Sequence, residues 1–66
     1  MKYVVYTEIW NKDMITENWY YGQYQSEHKA NEVALELGHT ADVYHKVCSA
    51  DDVHQLNIKN LPTSLL

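Results

Sequence analysis

The sequence contains no arginine and no phenylalanine, and it is poor in the residues that usually mark special chemistry. Its 66 residues include one Cys, one Pro and two Gly. A lone Cys excludes an intrachain disulfide, and two distant glycines exclude a Gly-rich phosphate loop. No apolar run approaches the ~20 residues of a membrane span, and no signal peptide is recognisable. We therefore expect a single small domain, located in the cytoplasm and without a cofactor.

Positive charge is also scarce. Five Lys stand singly against nine acidic residues, which gives a net charge of −4. Binding to duplex nucleic acid or to an anionic membrane depends on clustered Lys and Arg, so neither partner is expected. The use of Lys without Arg, together with six Tyr, is typical of an AT-rich coding sequence. We infer a low-GC bacterium or one of its phages as the source.

The hydrophobic pattern predicts an α+β domain with the order β-β-α-β. Expected strands cover residues 3–10, 17–25 and 42–48, and an amphipathic helix with a Ser26 N-cap covers 27–37. The simplest sheet is three-stranded and antiparallel in the order 2-1-3, with the helix on one face. Residues 50–58 suit a short helix or an extended segment equally well. The tail, 59–66, contains Pro62 and is expected to be irregular within the single domain 1–66.

One helix can cover only one face of such a sheet. If Glu8 and Lys46 point to water, strict alternation places five aromatic residues on the uncovered face. These residues are Tyr6, Trp10, Trp19, Tyr21 and Tyr44. An exposed aromatic patch usually marks an interaction site, so they are the predicted partner-binding residues. There are two alternatives. In the first, residues 50–58 or the final leucines cover this face. In the second, the alternation of side chains along a strand is interrupted.

Catalysis and metal binding find little support in the sequence. The histidines (His28, His39, His45 and His54) show no metal-ligand spacing with one another or with Cys48. A lone Cys at a strand end is more often a small buried apolar residue than a nucleophile. We therefore predict a protein that is not an enzyme and that has no metal site.

Three functions are compatible with these features. The first is a protein-interaction module that forms a homodimer or binds a protein partner through the aromatic face. The second is an acidic inhibitor or decoy, of the phage type, directed against a host nucleic-acid-binding protein. The third is binding of single-stranded nucleic acid by base stacking on the aromatic face, which the absence of a basic groove disfavours.

Overall fold

The computed structural model describes residues 2–65, which form an α+β domain. Four strands, one α-helix and two 3-10 helices follow one another along the chain. They are β1 (Tyr3–Asn11), β2 (Met14–Tyr24), α1 (Glu27–Leu37), β3 (Val43–Ser49), a first 3-10 helix (Ala50–Leu56), β4 (Ile58–Lys59) and a second 3-10 helix (Thr63–Leu65). The α+β class agrees with the sequence pattern.

The sheet has four strands, not the expected three, in the order β3-β1-β2-β4. β1 lies between β2 and β3 and is antiparallel to both. The additional strand, β4, runs parallel to β2, so the sheet is mixed rather than purely antiparallel. Alternation cannot reveal β4, because two residues, Ile58 and Lys59, are too few to show a period of two.

Residues 50–58 contain both of the structures that the sequence left open. A 3-10 helix ends at Leu56, Asn57 takes a left-handed conformation, and β4 begins at Ile58. Residues 59–65 are not irregular throughout, because Lys59 belongs to β4 and Leu65 is buried in the second 3-10 helix. Leu66 lies outside the described residues.

The hairpin that joins β1 to β2 is tighter than the expected strands, 3–10 and 17–25, suggested. Asn11 pairs with Met14, so only Lys12 and Asp13 form the loop. Lys12 has a φ of 59°, a conformation that suits Gly better than a residue with a side chain. The tight loop lengthens β2, which begins at Met14 instead of residue 17.

Two irregularities in the pairing of β1 with β2 change which side chains share a face. Val5 pairs with Gly22 but Tyr6 pairs with Tyr20, so Tyr21 is an additional residue on β2. A second shift lies between Ile9 and Trp10. Each bulge inserts one unpaired residue and inverts the alternation of everything that follows on that strand.

The helix α1 packs on the face of the sheet that carries Val5, here called the helix face. Ser26 caps the first turn, with its Oγ accepting a hydrogen bond from the Lys29 amide at 3.1 Å. Gly38, at φ 70°, ends the helix, and its N–H donates to the carbonyls of Ala34 and Leu35. Both Val5 and Ala30 are fully buried between the two layers.

Residues 50–65, here called the C-terminal segment, cover the opposite face of the sheet, here called the C-terminal face. A cluster of buried side chains joins this segment to β1. Its members are Val4, Tyr6, Val53, Ile58 and Leu65. Two further contacts tie the segment to β2: the Asn18 Nδ2 donates to the Leu56 carbonyl at 2.8 Å, and the Gln23 Nε2 donates to the Ser64 Oγ at 3.3 Å.

Candidate interaction surfaces

The five aromatic residues predicted for one open face are divided between the two faces of the sheet. Tyr6, Trp10 and Tyr44 lie on the C-terminal face. In contrast, Trp19 pairs with Thr7, and the Tyr21 ring makes an edge contact with His45 at a centroid distance of 6.4 Å. Thr7 and His45 are on the helix face, so Trp19 and Tyr21 are there too. The expected single face is wrong because the bulge at Tyr21 inverts the alternation of β2.

The C-terminal face is not open at Tyr6. Only 6% of this residue is exposed, because Val53, Ile58 and Leu65 pack around it. Burial raises the pKa of the Tyr6 hydroxyl above its usual value, and the neighbouring Glu8 carboxylate raises it further. Tyr6 is therefore a core residue whose hydroxyl stays neutral. At this part of the face the first alternative applies, in which the C-terminal residues of the chain cover the sheet.

Glu8 was expected to face water but is only 4% exposed. Its Oε1 accepts a hydrogen bond from the Trp10 Nε1 at 2.8 Å and lies 3.2 Å from the Lys46 Nζ. The Lys46 side chain is half exposed, so its charge stays partly hydrated while it compensates the buried carboxylate. Trp10 and Tyr44 are thus anchored in a polar cluster beside the core and do not form a free apolar patch.

Aromatic contacts extend this cluster towards the β3 edge. The ring centroids of Trp10 and Tyr44 are 5.9 Å apart with tilted planes, and His39 stacks on Tyr44 at 5.1 Å. His39 belongs to the loop between α1 and β3, so stacking fixes this loop against the strand. Among the histidines, His39 and His45 both have a packing role that explains their positions without a metal.

The helix face is covered along only part of its length. An α-helix of 11 residues is ~16 Å long, whereas a strand of 11 residues spans ~36 Å. α1 lies over the end that carries Tyr3 and Val5, and its C-cap Gly38 reaches His45, whose Nδ1 lies 2.8 Å from the Gly38 carbonyl. The half of the face nearest the hairpin loop therefore extends beyond the end of the helix, and β2 is, of the three longer strands, the one that α1 covers least.

This uncovered half, here called the hairpin patch, carries two exposed aromatic side chains. The hairpin patch consists of Thr7, Ile9, Trp19, Tyr21 and Val43. Trp19 is 40% exposed and Tyr21 is 49% exposed, while Ile9 on β1 and Val43 on β3 are half-buried. Aromatic side chains that remain this exposed on a sheet surface are typical of protein interfaces.

The rim of the hairpin patch is polar and locally neutral. The Lys59 Nζ lies 5.4 Å from the centroid of the Trp19 ring and 3.6 Å from the Glu17 Oε2. The Trp19 Nε1 donates a hydrogen bond to the Glu17 Oε1. These contacts fix the orientation of the indole, since both its ring nitrogen and one of its faces are occupied.

Cys48 faces the C-terminal core, where it packs against the buried cluster. Burial raises the pKa of the Cys48 thiol, and the nearby Asp52 carboxylate raises it further. A raised pKa lowers the thiolate fraction at neutral pH, the opposite of what a nucleophilic cysteine requires. Within residues 2–65, no group of three or more His, Cys, Asp or Glu lies close enough to hold a metal ion.

The surface of residues 2–65 carries shallow depressions, two of which are well formed. One, of about 140 Å³, lies where β2 meets β4 and the first 3-10 helix, next to Asn18 and Leu56. The other, of about 330 Å³, is an open groove along α1 lined by His28, Asn31, Glu32 and Leu35. Ligand pockets usually enclose ~300–1,000 Å³ between several elements. The first depression is smaller than this, and the second is formed by one helix alone.

Comparisons with known proteins add no functional information. No family model matches the chain, and no curated protein or solved structure is significantly similar to it. In the part of the chain that the structure describes, no helix is long and apolar enough to cross a membrane.

Sequence reasoning identified the aromatic residues but assigned the exposed ones to the wrong face. The missed residues are Thr7, Ile9 and Val43, which strict alternation puts on the face opposite Glu8 and Lys46, the face expected to lie beneath the helix. Helix length carried a usable signal, because an 11-residue helix is too short for the strands beside it. The bulge at Tyr21 left no such signal, since Trp19-Tyr20-Tyr21 is aromatic in either register.

Proposed function

We propose that this protein is a non-enzymatic interaction module that binds a protein surface through the hairpin patch. The observation that carries the proposal is the exposure of Trp19 and Tyr21 on β2, the one of the three longer strands that α1 covers least. Tyr and Trp are the residue types that most often dominate binding energy at protein interfaces. Trp10, Tyr44 and Tyr6, the other residues predicted to bind, are engaged within the protein and contribute less to this surface.

The chemistry of the hairpin patch favours a partner with a complementary apolar surface. The centre of the patch is aromatic and aliphatic, and its charged rim residues, Glu17 and Lys59, compensate each other. Neither a phosphate backbone nor a strongly basic surface would gain much from this arrangement. The single-strand-binding and acidic-decoy hypotheses therefore have weaker support than a protein partner.

The acidic-decoy hypothesis is further weakened by how the charges are distributed. Three of the lysines (Lys29, Lys46 and Lys59) each lie within 4 Å of a glutamate, at 3.2, 3.2 and 3.6 Å respectively. These ion pairs divide the net charge of −4 into small regions and reduce the field outside the protein. Binding to a basic host protein that disappears in high salt would favour the decoy over the module.

A paired-variant binding experiment tests the proposal. Immobilised wild-type protein, a Trp19→Ala/Tyr21→Ala variant and a His54→Ala control are compared for partner capture and for affinity by calorimetry. His54 is an exposed residue of the first 3-10 helix, outside the hairpin patch. We expect the double variant to lose affinity by about a hundredfold, while the control keeps it.

One result would refute the proposal that the hairpin patch binds the partner. If the double variant binds every partner, including a second copy, with wild-type affinity, the hairpin patch is not the binding surface. Circular dichroism verifies that the variants are folded, which is expected because both rings are substantially exposed.

A further inference from the structure

The outer edge of β3 differs from the other edge of the sheet. The β2 side is continued by β4, and Gln23 on β2 is bonded to Ser64. In contrast, β3 is the last strand on its side and pairs with β1 without any bulge. Unprotected edges of regular strands are templates for pairing with another chain.

The hydrogen-bond pattern shows which backbone groups point outward from this edge. The Trp10 amide donates to the Asp42 carbonyl at 2.8 Å, and the Ala50 amide donates to the Lys2 carbonyl at 2.9 Å. Antiparallel ladders alternate, so the even-numbered residues of β3 bond to β1 and the odd-numbered ones point away. The outward residues are Val43, His45, Val47 and Ser49.

One end of the edge is already occupied. The Thr40 amide donates to the Val43 carbonyl at 2.8 Å, so the loop before β3 covers the strand at that point. The free portion of the edge therefore extends from His45 to Ser49, and its centre is Val47. An antiparallel partner that uses all of this portion must be centred on Val47.

The helix offers an apolar side chain above the same edge. Leu35 is 82% exposed and lines the groove along α1 together with Asn31. Asn31, Leu35 and Gly38 are spaced i, i+4 and i+7, so they lie on one side of the helix. Gly38 contacts His45 of β3, which shows that this side of α1 is turned towards β3.

We propose that a second copy of this chain binds at the β3 edge by antiparallel pairing about a two-fold axis through Val47. Each Val47 N–H would donate to the Val47 carbonyl of the second copy, and each His45 would exchange both of its backbone hydrogen bonds with Ser49 of the second copy. Lys46 then lies opposite Cys48 of the second copy instead of opposite another Lys46, so like charges do not face each other. The two sheets become one continuous sheet.

The same axis brings the two helices together. α1 runs opposite to β3, and Gly38 lies beside His45. Val47 lies two residues, or ~6.6 Å, beyond His45 along β3. The same distance corresponds to ~4 residues back from Gly38 along α1, which is the position between Asn31 and Leu35. Leu35 therefore meets Leu35 of the second copy. A single extended peptide would pair with the edge but leave Leu35 in water, which favours a second copy as the occupant.

This inference concerns a surface separate from the hairpin patch and does not depend on the proposed function. Two measurements test it: backbone amide exchange by NMR and the solution mass by light scattering. Both are made from ~50 µM to ~1 mM, because a small interface implies weak association. We expect the mass to rise from 7.8 kDa towards twice that value. Exchange at Val47 and Ser49 should slow by about tenfold or more in parallel, whereas Lys46 and Cys48, bonded to β1, are protected at every concentration.

A charge substitution provides the second arm. We expect Leu35→Glu to weaken dimerisation by about tenfold or more, because two apolar contacts are lost and two carboxylates approach at the axis. Met14→Glu, at a 70% exposed site on the hairpin, is the matched control and should leave the dimer intact. Trp19→Ala should also leave it intact.

Two outcomes would overturn the proposal. A strict monomer at ~1 mM excludes self-association in the range where small interfaces act. A dimer in which the Val47 and Ser49 amides still exchange rapidly excludes the β3 edge. If that dimer is abolished by Trp19→Ala, self-association takes place through the hairpin patch, which supports the proposed function while refuting this inference.

Discussion

On the C-terminal face of the sheet, residues 50–65 bury Val4 and Tyr6, whereas on the helix face α1 leaves Trp19 exposed. The covered face holds most of the buried side chains and a compensated carboxylate. The half-covered face holds two exposed aromatic rings. The contrast shows that an irregular segment can bury more of a sheet face than a short regular helix, because it can follow the twisted surface.

The largest expected effect on the free energy of unfolding comes from a Val→Ala substitution, made once on each face for comparison. Val53→Ala on the C-terminal face should lower the free energy of unfolding by about 2–3 kcal/mol, because a fully buried side chain is replaced by a cavity. Val33→Ala on α1 should cost about 1 kcal/mol or less, since Val33 is half-buried and Ala favours the helix. Urea denaturation measures both, and equal effects would refute the contrast between the faces.

Removing the charge partner of Glu8 should have the next largest effect. Lys46→Met leaves the buried carboxylate with the Trp10 hydrogen bond alone, and we expect a loss of about 1–3 kcal/mol. Adding Glu8→Gln to this variant removes the uncompensated charge and should restore most of the loss. If Lys46→Met/Glu8→Gln is less stable than Lys46→Met alone, the Glu8 carboxylate stabilises the protein by an interaction other than its ion pair with Lys46.

Alkaline pH should weaken the C-terminal face selectively. The pKa values of Tyr6 and Cys48 are raised in the folded protein, chiefly by burial. The folded state therefore holds these protons more tightly than the unfolded state, and stability is lost as the pH rises past about 9. Thermal denaturation between pH 7 and pH 11 measures this decline. Tyr6→Phe should flatten it, and an unchanged profile would show that Tyr6 is not responsible.

The smallest effect concerns the hairpin loop, where the two faces meet. Lys12→Gly should raise the free energy of unfolding by about 0.5–1 kcal/mol, because Gly tolerates the positive φ better than Lys does. Asp13→Gly serves as the matched control for the entropy of an added glycine. A decrease in stability for Lys12→Gly would mean that its side chain, not its backbone, matters in the loop.

Some of this structure could be predicted from the sequence, and the reasons differ from element to element. The helix over Glu27–Leu37 was predicted with its bounds, because Ser26, the apolar stripe and Gly38 are all local signals. The α+β class followed from the three longer strands. β4 could not be predicted, and the cover formed by residues 50–65 was one alternative among others, since both depend on contacts with distant strands.

The candidate site was harder to predict than the fold. The bulge after Val5 is set by how β2 matches the twist and length of β1, and no residue type marks it. Glu8 was expected in water because an isolated carboxylate avoids burial. Its compensation by Lys46 and Trp10 depends on a cross-strand neighbour and on the next residue on the same face. That the five aromatic residues bind a partner is still a prediction.

The parallel pairing of β4 with β2 has a consequence for how the chain folds. Asn18 and Leu56, which are joined by a hydrogen bond, are 38 residues apart in sequence. The β1–β2 hairpin closes over two residues and can form within microseconds, whereas the β2–β4 closure must bring distant segments together at a greater entropic cost. During that interval Val4 and Tyr6 are exposed to water. We therefore expect the chain to be susceptible to aggregation until the C-terminal segment has packed over these side chains.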